Sequence, residues 1–552
     1  MPPAVTRAIR IACAHPAVLE VRVSEDAETG IIQMDLNIQQ ELPSAWRAAG
    51  ESPSHVRAVE TAIIRFPPSY PQRPPRTYLR EDFDRTHPHL LPGPSDQLPQ
   101  PCVVNGYPSE LIQARGFEGY LDQLVDWLDK AAMLELNSEQ HGWEPVRRYH
   151  VDDEIIAAPV PLRGMSGPGG DCAVVRTEFI RFELGEGRRL FRIALNLGQH
   201  VALDRAGCTI TQTGERVFRG CGVALIVGAP DREGSSTIIG TPLPESVATV
   251  DGLLERARHY GCESALKAKL DHIGLMLAQG GFTATPLVIV FLVRRPFRVV
   301  GSDSPIEIRP YVLDLQPGEG LLLSRGDVRL CGLREEITTA LMRRAAGDDE
   351  GSPSRPWLLL GCGSVGSKIA LHLARRGQGP ARVLDRAMMS PHNYARHGLL
   401  PEPNARGGLI IPKAEALTHS LAGFHSPADA ELTDIGSLVT TVEGRQRFDV
   451  DGLVLNTTGS SAVRETLVSQ AWEKRPPFGE AHLLGAGAVA YAAFEGAGGN
   501  PSLSDLAAES YRLIAADADI RDQVFGAQAE AIQIGQGCGT RSCPWAWCSS
   551  AA

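Results

Sequence analysis

Apolar and polar residues alternate in three short stretches near the start of the chain. Residues 20–23, 31–38 and 59–66 each read as a half-buried strand. Prolines at positions 67, 68, 71, 74 and 75 then remove ladder donors and fix an extended or turned backbone. A long loop is expected over 82–113. Beyond it Phe117, Leu121, Leu124, Val125 and Leu128 fall on one face of a helix. Strands followed by a helix predict an α+β unit over residues 1–145. Residues 146–345 alternate differently. Apolar stretches at 189–195, 223–227 and 287–293 read as strands, and 250–278 reads as helical, so an α/β region is expected. The Gly-, Ser-, Asp- and Pro-rich segment 346–356 reads as a linker. A third unit, 346–552, opens with a short strand at 357–360, a helix over 367–376 and a second strand at 381–384.

Composition narrows the class. The chain has 552 residues, 43% hydrophobic and 22% charged, as expected for a globular protein of several domains. Its net charge of −11 is a poor footprint for a dedicated nucleic-acid binder. The longest dense apolar run, Leu287 to Val293, suits a buried strand and is too short to span a membrane. The N-terminus lacks the apolar core of a signal peptide, and the 11 cysteines include no CxxC pair. A cytoplasmic chain with free thiols is expected, with neither nucleic acid nor membrane as partner.

The third unit carries the clearest chemistry. Gly361-Cys-Gly363-Ser-Val-Gly366 stands between a strand and a helix, and Asp385 closes the next strand. This is the dinucleotide-type fingerprint in its proper context: glycines admit a phosphate, the helix N-terminus offers free N–H groups, and the acid suits a ribose hydroxyl. Asn393, Arg396 and Lys413 follow. Hydride transfer from NAD needs no such Arg and Lys. Cleavage of ATP at its α-phosphate does, because negative charge builds on phosphoryl oxygens.

On these residues the third unit resembles the ubiquitin-activating (E1-like, ThiF/MoeB-type) adenylation domain. The resemblance implies a Rossmann-like fold, with Gly361, Gly363, Gly366, Asp385, Asn393, Arg396 and Lys413 binding ATP. One departure matters. Where the family has D-x-T-D-N, this chain reads Asn456-Thr457-Thr458-Gly459-Ser460, so Gly459 stands where an Asp helps hold Mg²⁺, and the metal ligands stay unknown.

In the first unit, Tyr70-Pro71-Gln72-Arg73-Pro74-Pro75, then His87-Pro88-His89, then Pro101-Cys102, resemble in order the motifs of a ubiquitin-conjugating (E2) domain. Cys102 is then the acyl-carrying thiol, His87 is either a catalytic residue or a structural histidine at a turn, and His89 replaces the family's usual Asn. In the last segment Cys538, flanked by glycines, is the best candidate for the activating thiol; Cys543 and Cys548 are its rivals. The region between would be a linker or an inactive adenylation-like domain. The tail after Cys538 is shorter than a complete adenylation domain leads one to expect.

Together the motifs resemble the bacterial E2–E1 fusions of antiphage (CBASS) and related ubiquitin-like operons. The resemblance implies ATP and Mg²⁺ as cofactors, and the C-terminus of a ubiquitin-like protein or a CD-NTase as substrate. It further implies a target-protein lysine, a deconjugating metalloprotease from the same operon, and a homodimer. Two alternatives share the nucleotide site: a sulfur-carrier adenylyltransferase, which leaves the first unit unexplained, and a non-catalytic scaffold, favoured by Gly459 and His89.

Overall fold

The computed structural model describes residues 1–91, 97–104, 106–139, 142–145, 151–165, 172–200, 210–228, 231–232, 235–243, 245–278, 286–314, 328–348, 355–401, 411–450, 452–526, 532–533 and 541–542. The chain forms two compact units, Met1–Glu335 and Glu336–Ala552.

The first unit begins with helix α1 (Pro3–Ala14). Strands β1 (Val18–Glu25), β2 (Ile32–Gln39), β3 (Val59–Phe66) and β4 (Arg76–Leu79) follow, with the short helix α2 (Ser44–Ala49) between β2 and β3. They form an antiparallel meander in sequence order. Met34, Leu36 and Ile38 alternate inward along β2, as do Ala62, Ile64 and Phe66 along β3. Helix α3 (Pro108–Ala132) packs Phe117, Leu121, Leu124 and Leu128 against that face, and α1 adds Val5, Ala8 and Ala12.

Two expectations need correction here. The loop ends at Pro108 rather than near 113, because proline suits the first helical turn, where its missing N–H costs nothing. The early turns escape the apolar pattern because Gly116 (φ 72°) breaks the helix just before Phe117. Sheet pairing also resumes after the prolines, as β4.

A second, nine-stranded sheet fills the rest of this unit. Its strands are β5 (Glu154–Ala157), β6 (Cys172–Glu183), β7 (Arg189–His200), β8 (Ile210–Gly214), β9 (Val217–Gly228), β12 (Pro286–Arg294), β13 (Ile306–Asp314), β14 (Val328–Leu330) and β15 (Gly332–Glu335). Strands β10 (Asp231–Arg232) and β11 (Ser235–Ser236) make a separate two-residue hairpin. Helix α4 (Pro159–Arg163) lies on one face of the sheet; α5 (Val250–His259) and α6 (Glu263–Ala278) cover the other. The sheet order is β14-β13-β12-β9-β6-β7-β5-β15, with β8 on β9. Most ladders are antiparallel; β12/β9, β5/β7 and β15/β5 are parallel. This mixed sheet differs from the parallel, doubly wound sheet that an adenylation-like domain implies.

The second unit opens with α7 (Thr339–Ala345). Next come β16 (Leu358–Leu360), α8 (Ser364–Arg375), β17 (Arg382–Leu384), α9 (Lys413–Ala422), β18 (Asp429–Glu431), α10 (Ile435–Val439) and α11 (Val442–Gln446). It continues through β19 (Val454–Asn456), α12 (Ser461–Ser469), β20 (Phe478–Leu484), β21 (Val489–Phe494), α13 (Leu503–Ala516) and α14 (Ala518–Phe525). A two-residue pair, β22 (Ile532–Gln533) with β23 (Arg541–Ser542), lies beyond.

The main sheet runs β18-β17-β16-β19-β20-β21, parallel except for β21. Its first five strands have the doubly wound 3-2-1-4-5 order. Helices α8 and α9 bury Ala370, Ala374, Leu417 and Leu421 on one face. Ile435, Val439, Leu467 and Leu503 bury the other. The order reverses between β16 and β19, and ligands of such sheets bind outside the carboxyl ends of the strands at that switch.

Candidate functional site

Two sites emerge, one in each unit. In the first unit, residues 89–91 and 100–102 run antiparallel. Leu91 N–H donates to the Gln100 carbonyl (2.8 Å), and Cys102 N–H donates to the His89 carbonyl (2.7 Å). This ribbon holds Cys102 half-buried, its thiol 3.5 Å from the Val104 carbonyl. Tyr107, just before α3, is 77% exposed.

Both neighbouring histidines bond backbone carbonyls. His87 is buried, and its Nε2 bonds the Ser54 carbonyl at 2.8 Å. Burial first of all holds its pKa below the ordinary value, so the ring is neutral and its N–H ties two loops together. His89 has φ 60°, and its Nε2 meets the Leu136 carbonyl at 3.0 Å. The His89 ring is thus engaged with the segment after α3. In the same unit the buried Tyr120 hydroxyl bonds Thr77 at 2.7 Å; burial pushes its pKa up to about 12.

The second site lies at the switch between β16 and β19. Gly361 (φ 80°) packs so tightly on Thr458 that a Cβ would come within 2.9 Å of it. At Gly366 a Cβ would meet the Gly361 carbonyl at 2.2 Å and the Thr457 hydroxyl at 2.3 Å. Both glycines are therefore demanded by packing. Gly363 is not: its φ is −75°, and a Cβ there would meet nothing within 4 Å. It lies at the N-terminus of α8, where N–H groups lack helical partners. The open space in front of it is the kind of cradle a phosphate fills.

Asp385 sits at the end of β17. One of its oxygens accepts the Cys362 N–H (2.9 Å) and the other the Ala387 N–H (2.8 Å). Each carboxylate oxygen has two lone pairs, so capacity remains for a ribose hydroxyl. Residues 387–389 pair with 411–413: Met389 N–H reaches the Ile411 carbonyl, and Lys413 N–H reaches the Ala387 carbonyl at 3.0 Å. This pairing brings Lys413, the first residue of α9, close to Asp385.

The nearby histidines sense the positive side chains. Burial first, then the charges of Arg396 and Lys413, lower the pKa of His392. His397 is buried, its Nδ1 accepting the Leu399 N–H (3.2 Å) and its Nε2 donating to the Cys362 carbonyl (2.7 Å). Those bonds fix one neutral tautomer and tie the glycine loop to the Arg396 segment. Asn393 caps its own turn: its Oδ1 accepts the Ser390 N–H at 3.0 Å, and its amide meets His392. The structure therefore gives Asn393 a local role that the sequence did not suggest.

Gly459 (φ 67°) has open space before it and supplies no carboxylate. Among the described residues, no group of three or more His, Cys, Asp or Glu side chains is placed to hold a metal ion. No step is therefore assigned to a protein-held Mg²⁺. Cys538, Cys543 and Cys548 lie outside the described residues. Among those described, no helix is long and apolar enough to cross a membrane.

Sequence reasoning missed what lies behind the switch. Thr457 N–H and hydroxyl both bond the Leu360 carbonyl, and the hydroxyl also bonds the Gly361 carbonyl. Glu480 is buried on β20, between Asn456 and Arg464. A charged residue inside the strand Phe478–Leu484 was the available signal.

Residues 14–161 match the model of prokaryotic E2 family A. No curated protein matches the chain. Solved structures of E. coli MccB with ATP, and of the microcin C7 biosynthetic enzyme MccB with N-formylated MccA, are each 18% identical to it. Each covers 24% of this chain and 37% of its own, with a TM-score of 0.18. The structure of PaaA is 16% identical over 23% of this chain and 38% of its own, with a TM-score of 0.17. The chain thus spans little more than a third of these solved proteins. The geometry described above stands without them.

Proposed function

We propose that the chain activates a C-terminal carboxylate with ATP and passes the acyl group to Cys102 as a thioester, for conjugation to an amine. One observation carries the nucleotide half. Packing does not require Gly363, since a Cβ there would meet nothing within 4 Å, and it leaves open space at a helix N-terminus near Asp385 and Lys413. The conjugating half rests on the match of residues 14–161 and on the half-buried thiol held by the His89–Cys102 ribbon.

In this reading, amides at the start of α8 hold phosphate oxygens, and Asp385 orients the ribose. Arg396 and Lys413 neutralise charge that grows as the substrate carboxylate displaces pyrophosphate from the α-phosphorus. A carboxylate is a poor acyl donor, and the mixed anhydride with AMP has a far better leaving group. Cys538 captures the acyl group and AMP leaves; thiol exchange moves the acyl group to Cys102; a lysine amine then forms the amide. Carrying both activities on one chain replaces a diffusional encounter with a high effective concentration. A ubiquitin-like protein or CD-NTase C-terminus as substrate, an antiphage setting, homodimer formation and a cytoplasmic location belong to this proposal. ATP–pyrophosphate exchange dependent on the partner's C-terminus tests it. Exchange is expected, and its absence with partner binding intact favours a scaffold.

A further inference from the structure

The buried carboxylate behind the switch has no place in the chemistry above. Glu480 is 1% exposed on β20, level with the last residue of β19, Asn456. Its Oε1 accepts from the Asn456 amide at 3.2 Å, and its Oε2 from Arg464 of α12 at 3.4 Å. An ion pair this deep costs desolvation on both partners, and an apolar pair of the same size would pack at less cost. What it does instead can be followed atom by atom.

With its amide directed to Glu480, Asn456 turns its Oδ1 toward the loop ahead. That oxygen accepts both the N–H (3.2 Å) and the hydroxyl (2.7 Å) of Thr458. The Thr458 hydroxyl oxygen in turn accepts the Ser460 N–H at 3.2 Å. The Thr458 backbone is the surface against which Gly361 packs, with room for no side chain between them. The polar chain therefore runs Arg464, Glu480, Asn456, Thr458, Gly361, from the back of the sheet to the glycine loop.

We propose that Glu480 is a positioning residue for ATP: through Asn456 and Thr458 it sets the shape of the Gly361–Gly366 loop. It touches no reacting atom. An amide free to rotate presents N–H₂ or C=O to Thr458 with equal ease, and only the second orientation accepts both Thr458 donors. The carboxylate beside it selects that orientation. This inference rests on the ATP reading above, and its test separates the two.

ATP binding to the full-length chain is measured by calorimetry, together with thermal unfolding. Four forms are compared: wild type, E480A, N456D and the exchange N456D/E480Q. Losing a buried bond to a charged group should weaken ATP binding by about ten-fold or more in E480A. N456D sets two carboxylates face to face and should weaken it similarly. In the exchange, the amide introduced at position 480 donates its N–H₂ to the carboxylate introduced at position 456. The carbonyl of that amide accepts from Arg464, and the carboxylate still accepts from Thr458. The bond between the two positions returns with its direction reversed and the others are kept. Affinity should recover to within about three-fold of wild type, a coupling that two independent sites would not show. Wild-type affinity in E480A, whether its unfolding temperature falls or not, overturns the inference and leaves the ATP reading standing. Failure of the exchange to recover affinity, while it unfolds like wild type, also overturns it. A wild-type chain that binds no ATP removes the ATP reading and the inference with it.

Discussion

Glycines 363 and 366 occupy the same motif and should fail in opposite ways. Gly366→Ala places a methyl within 2.3 Å of the Gly361 carbonyl and the Thr457 hydroxyl, so backbone must move. It should lower the unfolding temperature and ATP affinity together. Gly363→Ala meets nothing within 4 Å, so its unfolding temperature should fall far less than that of Gly366→Ala. Its methyl enters the proposed phosphate cradle, and ATP affinity should fall about ten-fold or more. Unchanged affinity in Gly363→Ala would place the nucleotide elsewhere. The sequence showed the two glycines as equals, and only the neighbours of each separate them. His87 makes a similar point. Its place in the His87-Pro88-His89 motif allowed either chemistry or a structural role at a turn, and its ring nitrogen is engaged with the Ser54 carbonyl. His87→Ala should therefore cost stability, about 1–3 kcal/mol for the orphaned buried carbonyl, measured by denaturant unfolding.

Elements that obey one period were readable; elements that mix signals were not. Strands β2 and β3 alternate cleanly and match the expected stretches. Strand β13 did not read as a strand because Pro310 and the charged Glu307 and Arg309 interrupt it. The fold accommodates each in turn. Pro310 lies one residue outside the β13/β14 ladder, so its missing N–H breaks no bond there. Glu307 pairs with Arg295 at 2.7 Å, both almost fully buried, and Arg309 bonds the Tyr260 hydroxyl and Glu245. The Arg295 guanidinium also lies 4.6 Å from the Trp143 ring, joining the segment after α3 to the second sheet. Glu307→Ala leaves Arg295 without its buried carboxylate and should destabilise the first unit by about 3–5 kcal/mol, seen as a lower urea midpoint. In the second unit, β20 carries a pH dependence. Burial, then Arg464, lowers the His482 pKa from 6.5 to about 4. The unfolded chain thus binds a proton that the folded chain refuses. Stability is full above about pH 6.5 and is lost as pH falls toward 4. His482→Gln should flatten part of that slope in urea titrations at stepped pH.

On the scale of the whole molecule, the motifs named two candidate sites, and the topology supplied what motifs lack. Spacing alone left the glycine motif shared between NAD and ATP enzymes. The 3-2-1-4-5 order then set the loop after β19 against it, and the 387–389 pairing set Lys413 near Asp385. The segment holding Cys538 lies outside the described residues, so its role is approached through chemistry. The central claim is an ATP-driven relay ending on Cys102, and one experiment addresses it directly. The full-length chain is incubated with ATP and a candidate ubiquitin-like substrate protein, then analysed by intact mass before and after thiol treatment. Wild type should gain a thiol-labile acyl adduct. Cys102→Ala should retain only the upstream thioester and lose amine transfer, and Cys538→Ala should show no adduct at all. Adducts and amine transfer that survive both substitutions would contradict the account.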